Sequence, residues 1–304
     1  MTETPRAVIA LVTARVARGL DEDLPPLEAA LRAAGAEVCV ADWDDTEVGW
    51  TSFDLALLRS TWDYTDRLQE FLEWVDRVSA LTKLSNPAQM VRWNTDKHYL
   101  AELANAGIPT VPSTFIEPGE SAARALDRFC AQHGCRELVV KPAVGAGSRD
   151  AQRHARTQIH AAVAHAGRLL EAGRSVLLQP YLERVDEDGE TALIYFDGRF
   201  SHAIRKGPLL PRGAEATRAL FAPEHITPRI PAADELEVAQ RVLGALPFEA
   251  PLYARIDLIR ADEGAPRLLE IELTEPSLFF THAPGSAEAF AAAVLRAQTR
   301  PAAR

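Results

Sequence analysis

Two segments, "LYARIDLI" (252–259) and "RLLEIEL" (267–273), constrain this chain more than any others. Each alternates like a half-covered strand, and the six residues Ala261 to Pro266 between them suit a connection. Paired antiparallel with Arg260 facing Arg267, they set Asp257 opposite Glu270 and Arg255 opposite Glu272. All four charges then share one face, and Ile256, Leu258, Leu269, Ile271 and Leu273 occupy the other. Three carboxylates around one guanidinium leave excess negative charge, which is costly where water is limited unless a cation compensates it. Hard oxygen donors at this density suit Mg²⁺, which is usually held by one or two carboxylates together with phosphates and water. The plainer reading is the solvated outer face of an edge hairpin. The apolar continuation "SLFF" (277–280) argues for a partly covered site.

Upstream, "RAVIALVTA" reads as a strand covered on both faces, and "LPPLEAALRAAG" as a helix that starts on prolines and ends near Gly35. "EVCVADW" and "FDLALLRS" read as further strands and "RLQEFLEWVDRVSAL" as an amphipathic helix, which makes residues 1–85 an open α/β layer. Asn86-Pro87 marks a boundary. Beyond it come a short helix ending at Gly107, a strand "ELVVKPAV", a small-residue loop "GAGSRD", a helix, and a strand "SVLLQPYL". "ETALIYFDG" and "RFSHAIRK" form a hairpin around Asp197-Gly198.

The 304 residues, 47% hydrophobic and 25% charged, suffice for two or three packed subdomains. A net charge of -10 disfavours nucleic acid as a partner. The three cysteines lack metal-ligand spacing and fit a reducing compartment; with no apolar run of membrane-spanning length, the expected location is the cytoplasm.

Lys141 ends an apolar strand directly before the loop carrying Gly145, Gly147 and Ser148. The order is not that of a phosphate-binding Walker loop, and GxGxxG fails at Asp150. What remains is a strand-borne ammonium plus backbone amides able to approach phosphate oxygens, or a simple turn.

The ordered set Lys97, Lys141, glycine loop, "LLQPYLE", Arg255, Asp257, Glu270 and Glu272 resembles the ATP-grasp superfamily over residues 86–280. That resemblance implies ATP and Mg²⁺ as cofactors, with the nucleotide sandwiched between two α+β subdomains, 86–180 and 181–304, behind the α/β domain of 1–85. It assigns Lys97, Lys141, Gly145, Gly147 and Ser148 to the phosphates, and Gln179, Pro180, Tyr181 and Leu182 to the adenine. Arg255 would meet the γ-phosphate, and Asp257, Glu270 and Glu272 the metal, although the superfamily usually has Asn at the last position. Arg205 or Lys206, in "SHAIRKGP", would approach the transferred phosphoryl group; a solvated strand face is the competing reading. Within the superfamily, "RSTWDY", "KPAVGAGSRD" and "EIELTEPSLFF" look most like the small bacterial ligases that include the D-cycloserine-forming cyclo-ligase.

Arg59, Ser60, Thr61 and Asp63 lie just past a strand end, where open α/β sheets place ligand groups, and Arg59 could clamp a substrate carboxylate. A helix cap with a surface ion pair is the alternative. Glu275 and Ser277 complete the expected substrate set. The expectation is therefore a monomeric or homo-oligomeric ligase that activates a carboxylate of a small amino-acid-like substrate as an acylphosphate for attack by nitrogen. Ring closure of O-ureido-D-serine is the specific form. An intermolecular peptide-type ligase and a nucleotide-binding protein without turnover are the alternatives.

Overall fold

The computed structural model describes residues 6–213, 216–220 and 224–300. The first layer is a parallel sheet in the order β2-β1-β3-β4, from β1 (Val8–Thr13), β2 (Glu37–Asp42), β3 (Leu55–Ser60) and β4 (Lys83–Ser85). Its central strands, β1 and β3, are apolar up to their last one or two residues because both faces are covered. On one face lie α1 (Leu24–Ala33) and the carboxyl-terminal helix Ser286–Gln298; on the other lies α2 (Leu68–Ser79) with Phe71 and Trp74. The short β4 carries too little periodicity to be read from sequence.

Two short helices follow, α3 (Ala88–Asn94) and α4 (Tyr99–Asn105), and then the second sheet, with order β5-β8-β6-β7. Its strands are β5 (Thr114–Ile116), β6 (Glu137–Pro142), β7 (Gln152–Ala155) and β8 (Val176–Pro180), and α5 (Ala122–His133) and α6 (Ile159–Glu171) pack on one face. Alternation along β6 sends Leu138 and Val140 into that core, leaving Val139 and Lys141 for the opposite face. The third sheet has the order β11-β10-β9-β12-β13. It comprises β9 (Glu190–Phe196), β10 (Arg199–Lys206), β11 (Ile226–Arg229), β12 (Tyr253–Arg260) and β13 (Pro266–Glu272).

β13 is an edge strand, yet its outer backbone groups are occupied. Asn94 Nδ2 donates to the Ile271 carbonyl (2.7 Å) and its Oδ1 accepts from the Leu273 amide (2.7 Å), while Asn86 Nδ2 donates to the Leu273 carbonyl (2.7 Å). Nearer the turn, the Val111 amide donates to the Leu268 carbonyl (2.9 Å) and the Leu268 amide to the Pro109 carbonyl (2.7 Å). The hairpin is therefore walled in, and the solvated-edge reading fails.

Its register is as expected at the charges, Arg255 opposite Glu272 and Asp257 opposite Glu270, but shifts between Asp257 and Leu258. Arg260 faces Pro266, not Arg267, and Leu258 faces Leu268, which leaves Leu269 as the extra residue of a bulge. The bulge breaks the alternation. Leu269 leaves the core face assigned to it and packs with Val111, Val185 and Ile259 beside the cleft described below. No helix among the described residues is long and apolar enough to cross a membrane.

Candidate active site

The free face of the second sheet and the charged face of the third enclose a cleft of about 1030 Å³. Its lining brings together Lys97, Lys141, Gly145, Gly147, Ser148, Gln179, Pro180, Tyr181, Leu182, Lys206, Arg255, Asp257, Glu270 and Glu272. Ammonium and carboxylate groups interlock within it. Lys97 Nζ lies 2.8 Å from Glu270 Oε1 and donates to the Gly145 carbonyl at 2.6 Å, tying the glycine loop to β13. Lys206 Nζ donates to Asp257 Oδ2 (2.6 Å) and lies 3.3 Å from Glu190. Arg255 donates to both oxygens of Asp257 (3.0 Å each) and to Glu272.

The loop geometry explains its small residues. A Cβ on Gly145 would meet Pro142 Cγ at 3.1 Å, and Gly147 has φ +60. At the other end of the cleft, Val111, Val139, Ile259 and Leu269 form an apolar slot beside the 179–182 segment. There the Arg153 guanidinium stacks 3.4 Å over the Tyr181 ring, whose hydroxyl donates to Asp186 at 2.5 Å.

These charges perturb one another. Burial raises Asp257, but Arg255 and Lys206 overcome it and hold the carboxyl below its usual range; Lys97 and Lys141 do the same for Glu270. Glu272 goes the other way. Burial pushes it up to about 7, with Arg255 opposing and Asp257 and Glu270 reinforcing the rise. Burial, opposed by Glu270, brings Lys141 down to about 8.

Among the described residues no group of three or more His, Cys, Asp or Glu side chains is arranged to hold a metal by itself. The cause is visible: Lys97, Lys206 and Arg255 engage the carboxylate oxygens. Glu272, raised by burial and by the neighbouring Asp257 and Glu270, would be favoured in its charged form by a further cation. The hard-oxygen donor set thus fits Mg²⁺ held jointly with phosphate oxygens rather than an all-protein cage.

A second cavity, of about 1040 Å³, adjoins the first and shares Ala146, Gly147, Glu224, Arg255 and Glu272 with it. Asp21, Glu22, Asp23, Trp62, Glu275, Ser277, Phe279 and His282 complete most of its wall. Burial and the nearby Glu272 push the Glu275 carboxyl up to about 8.

Several expected residues lie elsewhere. Arg205 turns away from the cleft and donates to the carbonyls of Asp188 and Glu187 (2.8 Å each), so of the two candidates only Lys206 faces it. Arg59, Ser60, Thr61 and Asp63 line neither cavity. Asp63 accepts from Trp43 Nε1 at 2.8 Å, Ser60 bonds Thr13 at 2.8 Å, and Arg59 is 1% exposed under the 275–280 loop. Sequence reasoning missed Asp21, Asp23 and Glu224. Asp23 stands directly before Leu24-Pro25-Pro26 and so resembles a helix cap, but its carboxylate makes no cap hydrogen bond.

Residues 9–86 match the family described as D-cycloserine synthetase DcsG, N-terminal domain. The chain is 42% identical to the cycloserine biosynthesis protein DcsG of Streptomyces lavendulae, a match spanning 94% of this chain and 97% of that one. The crystal structure of D-cycloserine synthetase DcsG is similar with a TM-score of 0.91 at 40% identity, covering 96% of this chain and 100% of that one. The ATP-grasp ligase PsnB, solved with minimal precursor, Mg and ADP, shares the fold with a TM-score of 0.65 at 20% identity, covering 99% of each chain. With this cleft and these relatives, the chain belongs to the D-cycloserine synthetase DcsG family and has the fold of ATP-grasp ligases.

Proposed function

We propose that this enzyme uses ATP to close O-ureido-D-serine into D-cycloserine, releasing ADP and phosphate. The observation that carries the reading is the common wall of the two cavities: Arg255 and Glu272 face both. A terminal phosphoryl group in the first cavity and a carboxylate in the second would meet there. Similarity along nearly the whole chain to a cycloserine biosynthesis protein supports the choice of substrate.

In this reading Lys97 and Lys141 bind phosphate oxygens, the Gly145–Ser148 loop covers them, and the 179–182 segment with its apolar slot takes the adenine. Arg255 stabilises the charge that shifts across the common wall, and Lys206 holds Asp257 in place. Asp257, Glu270 and Glu272 would hold Mg²⁺ together with phosphate oxygens, and the ion would supply positive charge against them. The substrate carboxylate takes the γ-phosphoryl group, giving an acylphosphate held against the wall of Glu275 and Ser277. The nitrogen bonded to oxygen in the same molecule then attacks the acyl carbon, phosphate leaves, and no second substrate pocket is required. Atoms balance when water removes the carbamoyl group as carbon dioxide and ammonia.

The same reading treats 1–85 as the substrate-side domain and 86–180 and 181–304 as the two nucleotide-binding subdomains of a cytoplasmic enzyme. ADP release coupled to detection of the ring product by mass spectrometry tests it. O-ureido-D-serine alone is expected to suffice; a requirement for two amino acids would overturn ring closure.

A further inference from the structure

The 275–280 loop forms one wall of the second cavity through Glu275, Ser277 and Phe279. Most of the side-chain hydrogen bonds to its backbone come from the amino-terminal layer, with His202 Nε2 of β10 donating to the Leu278 carbonyl (2.8 Å) from the other side. Trp62 Nε1 donates to the Glu275 carbonyl (3.2 Å) and Arg59 Nη2 to the Pro276 carbonyl (3.0 Å). Asp23 takes three consecutive amides: Oδ2 accepts from Leu278 (2.5 Å) and Phe279 (3.0 Å), and Oδ1 from Phe280 (2.9 Å). Such convergence needs Phe279 in the left-handed region, where it sits at φ +55, so that neighbouring N–H groups point at one anion. Arg59 Nη2 lies 3.8 Å from Asp23 Oδ2, and both side chains are at most 5% exposed.

Stability alone is a poor explanation for this couple. Arg59 Nε and Nη1 are buried with no hydrogen-bond partner, and a guanidinium left partly unsatisfied costs free energy that an apolar side chain would not. What the couple does achieve is registration. The loop it holds meets Arg255 twice, through the Ser277 carbonyl (3.4 Å from Nη1) and the Phe279 ring (5.6 Å from the guanidinium carbon). Asp23 and Arg59 thereby fix the amino-acid cavity relative to the residue on the common wall.

We infer that Asp23 and Arg59 are positioning residues for ring closure: Arg59 lines neither cavity, Asp23 on the wall of the second commits its carboxylate to the loop amides, and the pair acts by placing the Glu275–Phe280 loop against Arg255. This rests on the function proposed above. Steady-state kinetics of D23N, R59M and R59K, each with ATP and O-ureido-D-serine varied separately, test it. D23N and R59M are expected to raise the KM for the amino acid about tenfold while leaving the KM for ATP within about twofold. R59K, whose ammonium can still donate to the Pro276 carbonyl, is expected to recover most of the R59M loss. A displaced loop also exposes the acylphosphate to water, so ADP released per ring formed rises in D23N and R59M.

An unchanged amino-acid KM and coupling ratio in these variants overturns the inference. So does a uniform fall in turnover that merely tracks the folded fraction measured by thermal unfolding, or an R59K no better than R59M. If the wild type releases no ADP with O-ureido-D-serine, the functional reading falls and the inference with it; wild-type turnover with indifferent variants rejects the inference alone.

Discussion

The two cavities are built on opposite electrostatic principles. In the first cleft Asp257, Glu270 and Glu272 each have a cationic partner: Glu270 with Lys97, Asp257 with Lys206 and Arg255, Glu272 with Arg255. In the adjoining cavity, Glu275 is buried and pushed up to about 8, and Asp21 is buried, raised, and has one oxygen without a partner. The cleft is organised in advance for a polyanion that exchanges one set of ion pairs for another. The second cavity holds buried acids that desolvation keeps towards their neutral form, so it suits a ligand that brings hydrogen-bond donors or a positive group able to pair with them. Arg255 stands between the two.

Substitutions on each side should therefore separate in their kinetic signatures. The largest effect is expected in the cleft. Lys141→Met removes a half-buried ammonium from the cleft, and kcat/KM for ATP should fall on the order of 10²–10³-fold, read from steady-state phosphate release. Glu270→Gln should abolish turnover at limiting Mg²⁺ with the fold intact by circular dichroism; unchanged turnover there would remove Glu270 from the metal set.

Glu275→Gln should act on the other side, raising the KM for the amino acid about tenfold with little change for ATP. It also carries a pH signature. The folded pKa of about 8 lies above the ordinary carboxyl value, so between about 4.5 and 8 the native state binds more protons than the unfolded state and stability falls as pH rises. Gln mimics the protonated form. The variant should gain on the order of 4 kcal/mol over wild type at pH 8, a gain that vanishes towards pH 4.5, measured by urea unfolding. A gain independent of pH would contradict the assigned shift. The smallest effect is expected at Arg205, which serves the Glu187 and Asp188 carbonyls outside both cavities. Arg205→Ala should leave turnover within about twofold, and a large loss would return Arg205 to the catalytic set.

The same contrast decides what could be read from sequence. The cleft residues sit on strands, where a period of two carries each side chain to a known face, so Lys141, Arg255, Asp257, Glu270 and Glu272 were legible from pattern and order. Leu269 was not, because the bulge inserts one residue and nothing in "RLLEIEL" announces it. The second cavity is assembled from loops whose partners lie far apart in sequence. Arg59 occupies the predicted strand end, but a loop 217 residues away covers it and takes its donor. Asp23 looks like a local cap, while its amides come from residues more than 250 positions on. Arg205 and Lys206 are adjacent and both basic; only the pleat of β10 settles that Lys206 faces the cleft.

The central claim is that a phosphoryl group crosses the wall shared by the cavities to a substrate carboxylate. Turnover of O-ureido-D-serine labelled with ¹⁸O in both carboxylate oxygens tests this directly, with the released phosphate analysed by mass spectrometry. An acylphosphate formed at Arg255 requires one labelled oxygen to leave with phosphate in each ring closure. Phosphate free of label, with D-cycloserine still formed, would contradict the account.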